Sequence, residues 1–171
     1  NPVKDLRQSA LVLVNAQSAD YADFEHFIQP YLDHFGIPYT TLDISTTPVT
    51  TDVEEYALLV VGHRNFDSGA TAYLDSTEEG FISAAVNTGS GLVNFDNALS
   101  ADGSTARYQF IDDVFTFGYN ASTSGSNVTF GDPALNYIIQ SHTLNQTITT
   151  NTMNLAGITL PADVISLASS S

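Results

Sequence analysis

Apolar residues follow two rhythms along the chain. Residues 9–15 (SALVLVN), 56–61 (YALLVV) and 91–95 (GLVNF) are compact apolar runs that end in polar residues. Runs of this length predict strands buried in a parallel sheet. Between the first two, Tyr21, Phe24, Phe27, Ile28, Tyr31, Leu32 and Phe35 recur at helical spacing and predict a helix with one apolar stripe. Asp20 stands where a helix cap belongs, Pro30 should kink or split the helix, and Gly36 should end it. Residues 38–44 (PYTTLDI) predict a further strand, and the Thr- and Pro-rich residues 45–52 a loop. Ser76-Thr77-Glu78-Glu79 has the spacing of a capping box. It opens a helix with Phe81, Ile82, Ala85 and Val86 on one face and Gly89 at its end.

The order is therefore β-α-β twice, with connections long enough for parallel crossovers. Beyond residue 100 the rhythm fades. Ser104 is placed to cap a helix carrying Tyr108, Ile111, Val114 and Phe115. Residues 118–125 read as a polar loop and 128–130 as a short strand. Asp132-Pro133 has the form of a helix start, although 135–139 fits a strand equally well. Residues 153–158 and 164–168 are late strand candidates. The expectation is one α/β domain over residues 1–171 with a mostly parallel central sheet, forming part of a longer chain.

Composition narrows the partners. Four Lys plus Arg face 19 Asp plus Glu, a formal charge of −15, which repels phosphate backbones and anionic lipid. Nucleic acid is excluded as a partner, and no apolar run approaches a membrane span, so no membrane insertion is expected in this segment. With no cysteine there is no disulfide, thiolate metal site or Cys nucleophile. The polar residues are mostly Ser, Thr and Asn, and three glycosylation acceptors occur, at Asn120, Asn127 and Asn145. Together these point to an extracellular or cell-surface protein. No GxGxxG or P-loop is present, the loop after residue 15 lacks glycine, and no cofactor is expected.

Three stretches carry a family resemblance. They are residues 56–61, residues 81–96 (FISAAVNTGSGLVNFD), and residues 108–117 followed by Asn127-Val128-Thr129 and Ser141-His142-Thr143. With the element order, they resemble the class I glutamine amidotransferase-like superfamily, in its ThuA-like and β-galactosidase-trimerisation branches. The resemblance implies a flavodoxin-like three-layer sandwich. This chain departs from the family pattern at its reactive positions. The glutaminase Cys is missing, Asp96 stands where ThuA-like members carry His, and Thr143 stands where they carry Pro. The resemblance thus implies the fold and argues against amidotransferase chemistry.

In an open α/β sheet, ligands bind beyond the C-terminal ends of the strands. That rule gathers Asn15, Gln17, His63, Arg64, Asn94 and Asp96 at one edge, with His142 as a later contributor. Read as an enzyme, Asp96 is base or ligand, His63 or His142 the acid/base, and Arg64 a carboxylate clamp. Read as a scaffold, Asp96 bonds loop backbone and Arg64 pairs with a surface acid. Other chemistries fit poorly. Ser90 precedes its strand instead of following it, so it is no nucleophile elbow. His26 and His34 lack metal-motif spacing, residues 96–102 lack the calcium-loop pattern, and Asp112 or Asp113 as a glycosidase partner to Asp96 is better explained as helix surface. Tyr73, Tyr108, Tyr119 and Tyr137 are candidate stacking residues for glycans. The leading expectation is a non-catalytic amidotransferase-like domain of an exported or cell-surface protein. It serves assembly with other domains or chains, or binds a ligand such as carbohydrate, through Asn15, Gln17, Arg64 and Asn94. The alternative is a hydrolase of a sugar derivative using Asp96, His63 and His142.

Overall fold

A computed structural model describes residues 6–67, 72–96, 114–115, 118–131, 141–159, 162 and 164–170. The chain divides into two compact units, Asn1–Phe115 and Thr116–Ser171.

The first unit is α/β. Strands β1 (Arg7–Val14), β2 (Tyr39–Asp43), β3 (Tyr56–Val61) and β4 (Gly91–Asn94) form one sheet in the order β2-β1-β3-β4, and every pair is parallel. Between β1 and β2 the chain passes through α1 (Tyr21–Asp23), a π-helical turn (Phe24–Ile28) and α2 (Gln29–His34). A 3-10 turn (Thr51–Glu55) leads into β3, and α3 (Ser76–Asn87) connects β3 to β4. The apolar runs explain the sheet. Leu11, Val12, Leu13, Leu59, Val60 and Val61 are buried on alternating sides of the two central strands, so both faces are covered. On one face Ala10, Val12, Val14 and Val60 pack with Phe24 and Leu32 from the helical segment. Leu13 aligns with both Leu42 and Val61, and Val61 with Asn94, so the four strand tips finish level.

Four local expectations are corrected. The expected capping box is shifted by one residue: Asp75 is the N-cap, accepting from the N–H groups of Thr77 and Glu78, while Glu78 reaches back to the Asp75 N–H. One Asp75 carboxylate oxygen accepts both N–H groups, which completes the box one residue earlier than the Ser76 spacing indicates. Asp20 precedes α1 but makes no side-chain cap; its carboxylate turns to Arg64 and Asn65. The fourth strand is not buried throughout, because β4 is an edge of the sheet among the described residues and Phe95 is 47% exposed. The apolar stripe of residues 21–35 is wider than the face that packs. Phe24 and Leu32 are buried, whereas Phe27, Tyr31 and Phe35 face solvent. The π turn, which adds a residue per turn, changes the phase of the stripe halfway along.

The second unit is an antiparallel sheet of β5 (Gly118–Phe130), β6 (Thr147–Thr159) and β7 (Ala168–Ser170), in the order β6-β5-β7. Residues 118–125, expected as a loop, are strand, and the short strand at 128–130 is the end of the same β5. Residues 153–158 lie within β6, but of residues 164–168 only Ala168 is strand. Polar content misled the reading, because threonine is a good strand residue when its hydroxyl pairs across the ladder. Here the Thr129 and Thr147 hydroxyls are 3.0 Å apart, and the Thr149 hydroxyl donates to the Asn127 side-chain oxygen at 3.1 Å. Val114 and Phe115 are helical. The rest of the helix expected after Ser104, the choice at 132–139, and the candidates Asp112, Asp113, Tyr108 and Tyr137 lie outside the described residues.

Candidate functional site

The parallel sheet brings Asn15, Gln17, His63, Arg64, Asn94 and Asp96 to its C-terminal edge, each just past a strand or at its last residue. What they do there is set by backbone that needs partners. Strand β3 ends at Val61 and the chain turns sharply through residues 62–67. Gly62 makes the turn possible: its N–H donates to the Leu13 carbonyl at 2.9 Å, and a Cβ would lie 2.9 Å from Val12 Cγ1 and 3.0 Å from the Leu13 oxygen.

His63 is 1% exposed. Its Nε2 accepts from the Asn15 N–H at 3.0 Å, so its ring proton lies on Nδ1, which donates to the Arg64 carbonyl at 2.9 Å. Both nitrogens are thus bonded to main chain. The ring stands edge-on to Tyr21 and Phe66, with centroids 6.0 and 5.8 Å away. Burial first, then the Glu25 and Asp43 carboxylates, pushes the Tyr21 phenol above its ordinary range.

Asp96 is 3% exposed. One carboxylate oxygen accepts from the Asn65 N–H and the other from the Phe66 N–H, each at 3.0 Å. The arrangement gives each buried oxygen an oriented main-chain donor. It also holds Asn65 in the left-handed region, at φ 48°, a conformation asparagine tolerates better than most residues. Asn94 and Asp96 exchange bonds: the Asn94 amide donates to the Asp96 carbonyl at 2.8 Å and accepts from the Asp96 N–H at 3.1 Å. The Asn15 side chain donates to the Phe66 carbonyl at 2.7 Å and accepts from the Gln17 N–H at 3.0 Å. Gln17 itself is exposed.

Arg64 also reaches outward, and its charge is paired there. Its Nε donates to Asp23 at 2.7 Å and a terminal nitrogen lies 2.8 Å from Asp20, while about half of its side chain stays exposed. The Asp23 hydrogen bond, with the charges of Asp20 and Asp23, holds the guanidinium above its ordinary range. Asp43, at the tip of β2, takes the Ser45 hydroxyl at 2.7 Å, the Ser45 N–H at 3.0 Å and the Ala16 N–H at 3.2 Å. Burial pushes this carboxyl up, but the bonds from Ser45 and Ala16 outweigh it and leave it below the usual carboxylate range. Buried Asp67 likewise takes the N–H groups of Tyr73 and Leu74.

Over this network lies an open cleft of about 300 Å³, lined by Asp23, Phe27, Ile28, Gly62, His63, Arg64 and Phe95. Its walls are aromatic and its one polar corner is the Arg64–Asp23 pair. Sequence reasoning missed Asp23, Phe27 and Phe95 as lining residues, and the structural part played by Asp20, Asp43, Asn65 and Asp67. The signal available was an acid or amide beside each strand tip, next to loop backbone that requires acceptors.

His142 belongs to the second unit. Its ring stacks on Phe130 with centroids 3.9 Å apart and planes 8° apart, and its Nδ1 lies 3.3 Å from the Gln146 side-chain oxygen. Asn127 is within β5, Asn120 in the same strand, and Asn145 on an exposed turn at φ 59°. No group of three or more His, Cys, Asp or Glu able to hold a metal occurs among the described residues. Among them, too, no helix is long and apolar enough to cross a membrane.

No protein-family model matches the chain, and no curated protein matches it significantly. Among solved structures, that of a ThuA-like protein from Bacteroides uniformis is similar over 100% of this chain and 71% of its own, with a TM-score of 0.68 and 16% identity. At that identity the likeness concerns fold alone, and the fold of this chain is ThuA-like.

Proposed function

We propose that the chain is a non-catalytic, cysteine-free amidotransferase-like module of a larger exported or cell-surface protein, and that it binds a ligand in the cleft at its parallel-sheet edge. One observation carries the reading: both nitrogens of His63 and both carboxylate oxygens of Asp96 are bonded to main chain. A general acid or base needs a polar atom within reach of substrate, and these two residues spend theirs on holding loops. The strand order β2-β1-β3-β4 agrees with a flavodoxin-like arrangement, in which the ligand sits beyond the strand tips. The cleft offers Phe27 and Phe95 beside the Arg64–Asp23 ion pair, a combination suited to a small ring such as a sugar. The reading of export rests on the acceptor sequence at Asn145, which lies on an exposed turn.

The test pairs turnover with binding. The wild-type protein is assayed on p-nitrophenyl glycosides and p-nitrophenyl acetate, and its melting temperature is followed with monosaccharides added. The expected result is no turnover above buffer, and a sugar-dependent rise in melting temperature that Phe95→Ser removes. Turnover that Asp96→Asn abolishes without loss of folding would sink the module reading in favour of the hydrolase.

A further inference from the structure

The helical segment after β1 exposes more apolar surface than the cleft uses. Phe27, Tyr31 and Phe35 are 68%, 58% and 61% exposed. Spaced four residues apart, they form a row along the helix. Tyr31 and Phe35 touch, with ring centroids 4.6 Å apart, and Phe27 lines the cleft together with Phe95. An exposed aromatic row of this extent marks an interaction surface more often than chance exposure.

Its surroundings are acidic. Residues 20–36 contain Asp20, Asp23, Glu25 and Asp33 and no Lys or Arg, with His26 and His34 edge-on to Phe27 and Phe35. Arg64, the cation next to them, is held between Asp20 and Asp23.

The charge chooses between occupants. A second copy would bring another −15 charges, and a two-fold interface would set this acidic face against itself. A sugar chain needs a flat platform, but the Tyr31 and Phe35 planes are 48° apart. Cationic side chains on apolar stems meet both needs, since they stack on aromatic faces and pair with the exposed acids Glu25 and Asp33. We propose that the face formed by Phe27, Tyr31 and Phe35 docks a basic amphipathic segment of a partner protein, rich in Arg and Lys with apolar anchors. This rests on the reading of the unit as a binding module and adds the chemistry of its partner.

The test uses a fluorescein-labelled amphipathic peptide of Arg, Lys, Leu and Trp, the same peptide with Glu at every Arg and Lys, and cellohexaose. Anisotropy is measured on the wild type and on Tyr31→Ser/Phe35→Ser, which leaves the cleft lining intact. The expected result is saturable binding of the basic peptide and not of the acidic one, weakened about fivefold or more in the double variant and weakened by salt. If the double variant does not fold, Glu25→Gln/Asp33→Asn replaces it, with the same loss expected. Equal binding to wild type and variant, which diffuse charge alone would produce, overturns the proposal. So does aromatic-dependent binding of cellohexaose without the peptide, or a concentration-dependent dimer that the double variant abolishes. Turnover by the wild type would sink the module reading itself, whereas silence toward the peptide with no turnover sinks only this inference.

Discussion

Removing the Asp96 carboxylate tests the scaffold directly. In Asp96→Ala the N–H groups of Asn65 and Phe66 lose their acceptors, two bonds of 3.0 Å. The Phe66 bond is buried and the Asn65 bond partly so. A buried donor left unsatisfied costs about 1–3 kcal/mol, and a partly wet one roughly half that, so the expected loss is about 2–4 kcal/mol. For a chain of this size each kcal/mol lowers the melting temperature by about 2–4 °C, which puts the shift at roughly 5–15 °C. Asp96→Asn should fall between, at about 1–2 kcal/mol, because its amide oxygen still serves one N–H while its NH2 confronts the other. Arg64→Ala is the comparison: its ion pairs are half exposed, and their loss should cost about 1 kcal/mol or less. The assay is urea and thermal unfolding followed by circular dichroism. Asp96→Ala within about 0.5 kcal/mol of wild type, the range of an ordinary surface change, would refute the reasoning.

Three further outcomes are expected. Gly62→Ala forces a methyl against Val12 and the Leu13 carbonyl and should cost about 1–3 kcal/mol in urea unfolding; a neutral substitution contradicts the close approach of β1 and β3. Long-range proton–nitrogen NMR should find the His63 proton on Nδ1 and a bare Nε2, and the reverse tautomer contradicts the Asn15 bond. Because the Asp43 carboxyl lies below its ordinary range, its contribution to stability is present above the unfolded value of about 3.9 and is lost as pH falls through the lower folded value. Asp43→Asn should therefore flatten the loss of stability below about pH 4, and an unchanged acid profile contradicts the assignment.

The sheet was legible because residues 9–15 and 56–61 are too apolar to sit anywhere but its centre. The site's address followed from the sheet, since His63, Asn94 and Asp96 adjoin the strand tips whatever their partners. Their duties were not legible, because those depend on pairings far apart in sequence: His63 lies 48 residues from Asn15, and Asp96 lies 30 from Phe66. Helical spacing in residues 21–35 gave the helix but not which aromatics pack, as periodicity records a stripe and not its width. The second sheet was hidden for a different reason. Its strands draw on Thr, Ser and Asn, whose hydroxyls and amides pair across the ladder. The same residues in isolation favour turns.

Amide hydrogen exchange across the sheet edge bears most directly on the claim that the polar residues there hold backbone. In the wild type, the N–H groups of Asn15, Asn65 and Phe66 should exchange as slowly as those of β1 and β3. In Asp96→Ala, Asn65 and Phe66 should lose that protection while Asn15 keeps it. Fast exchange of Asn65 and Phe66 in the wild type would contradict the account, because it would leave the Asp96 carboxylate available for chemistry.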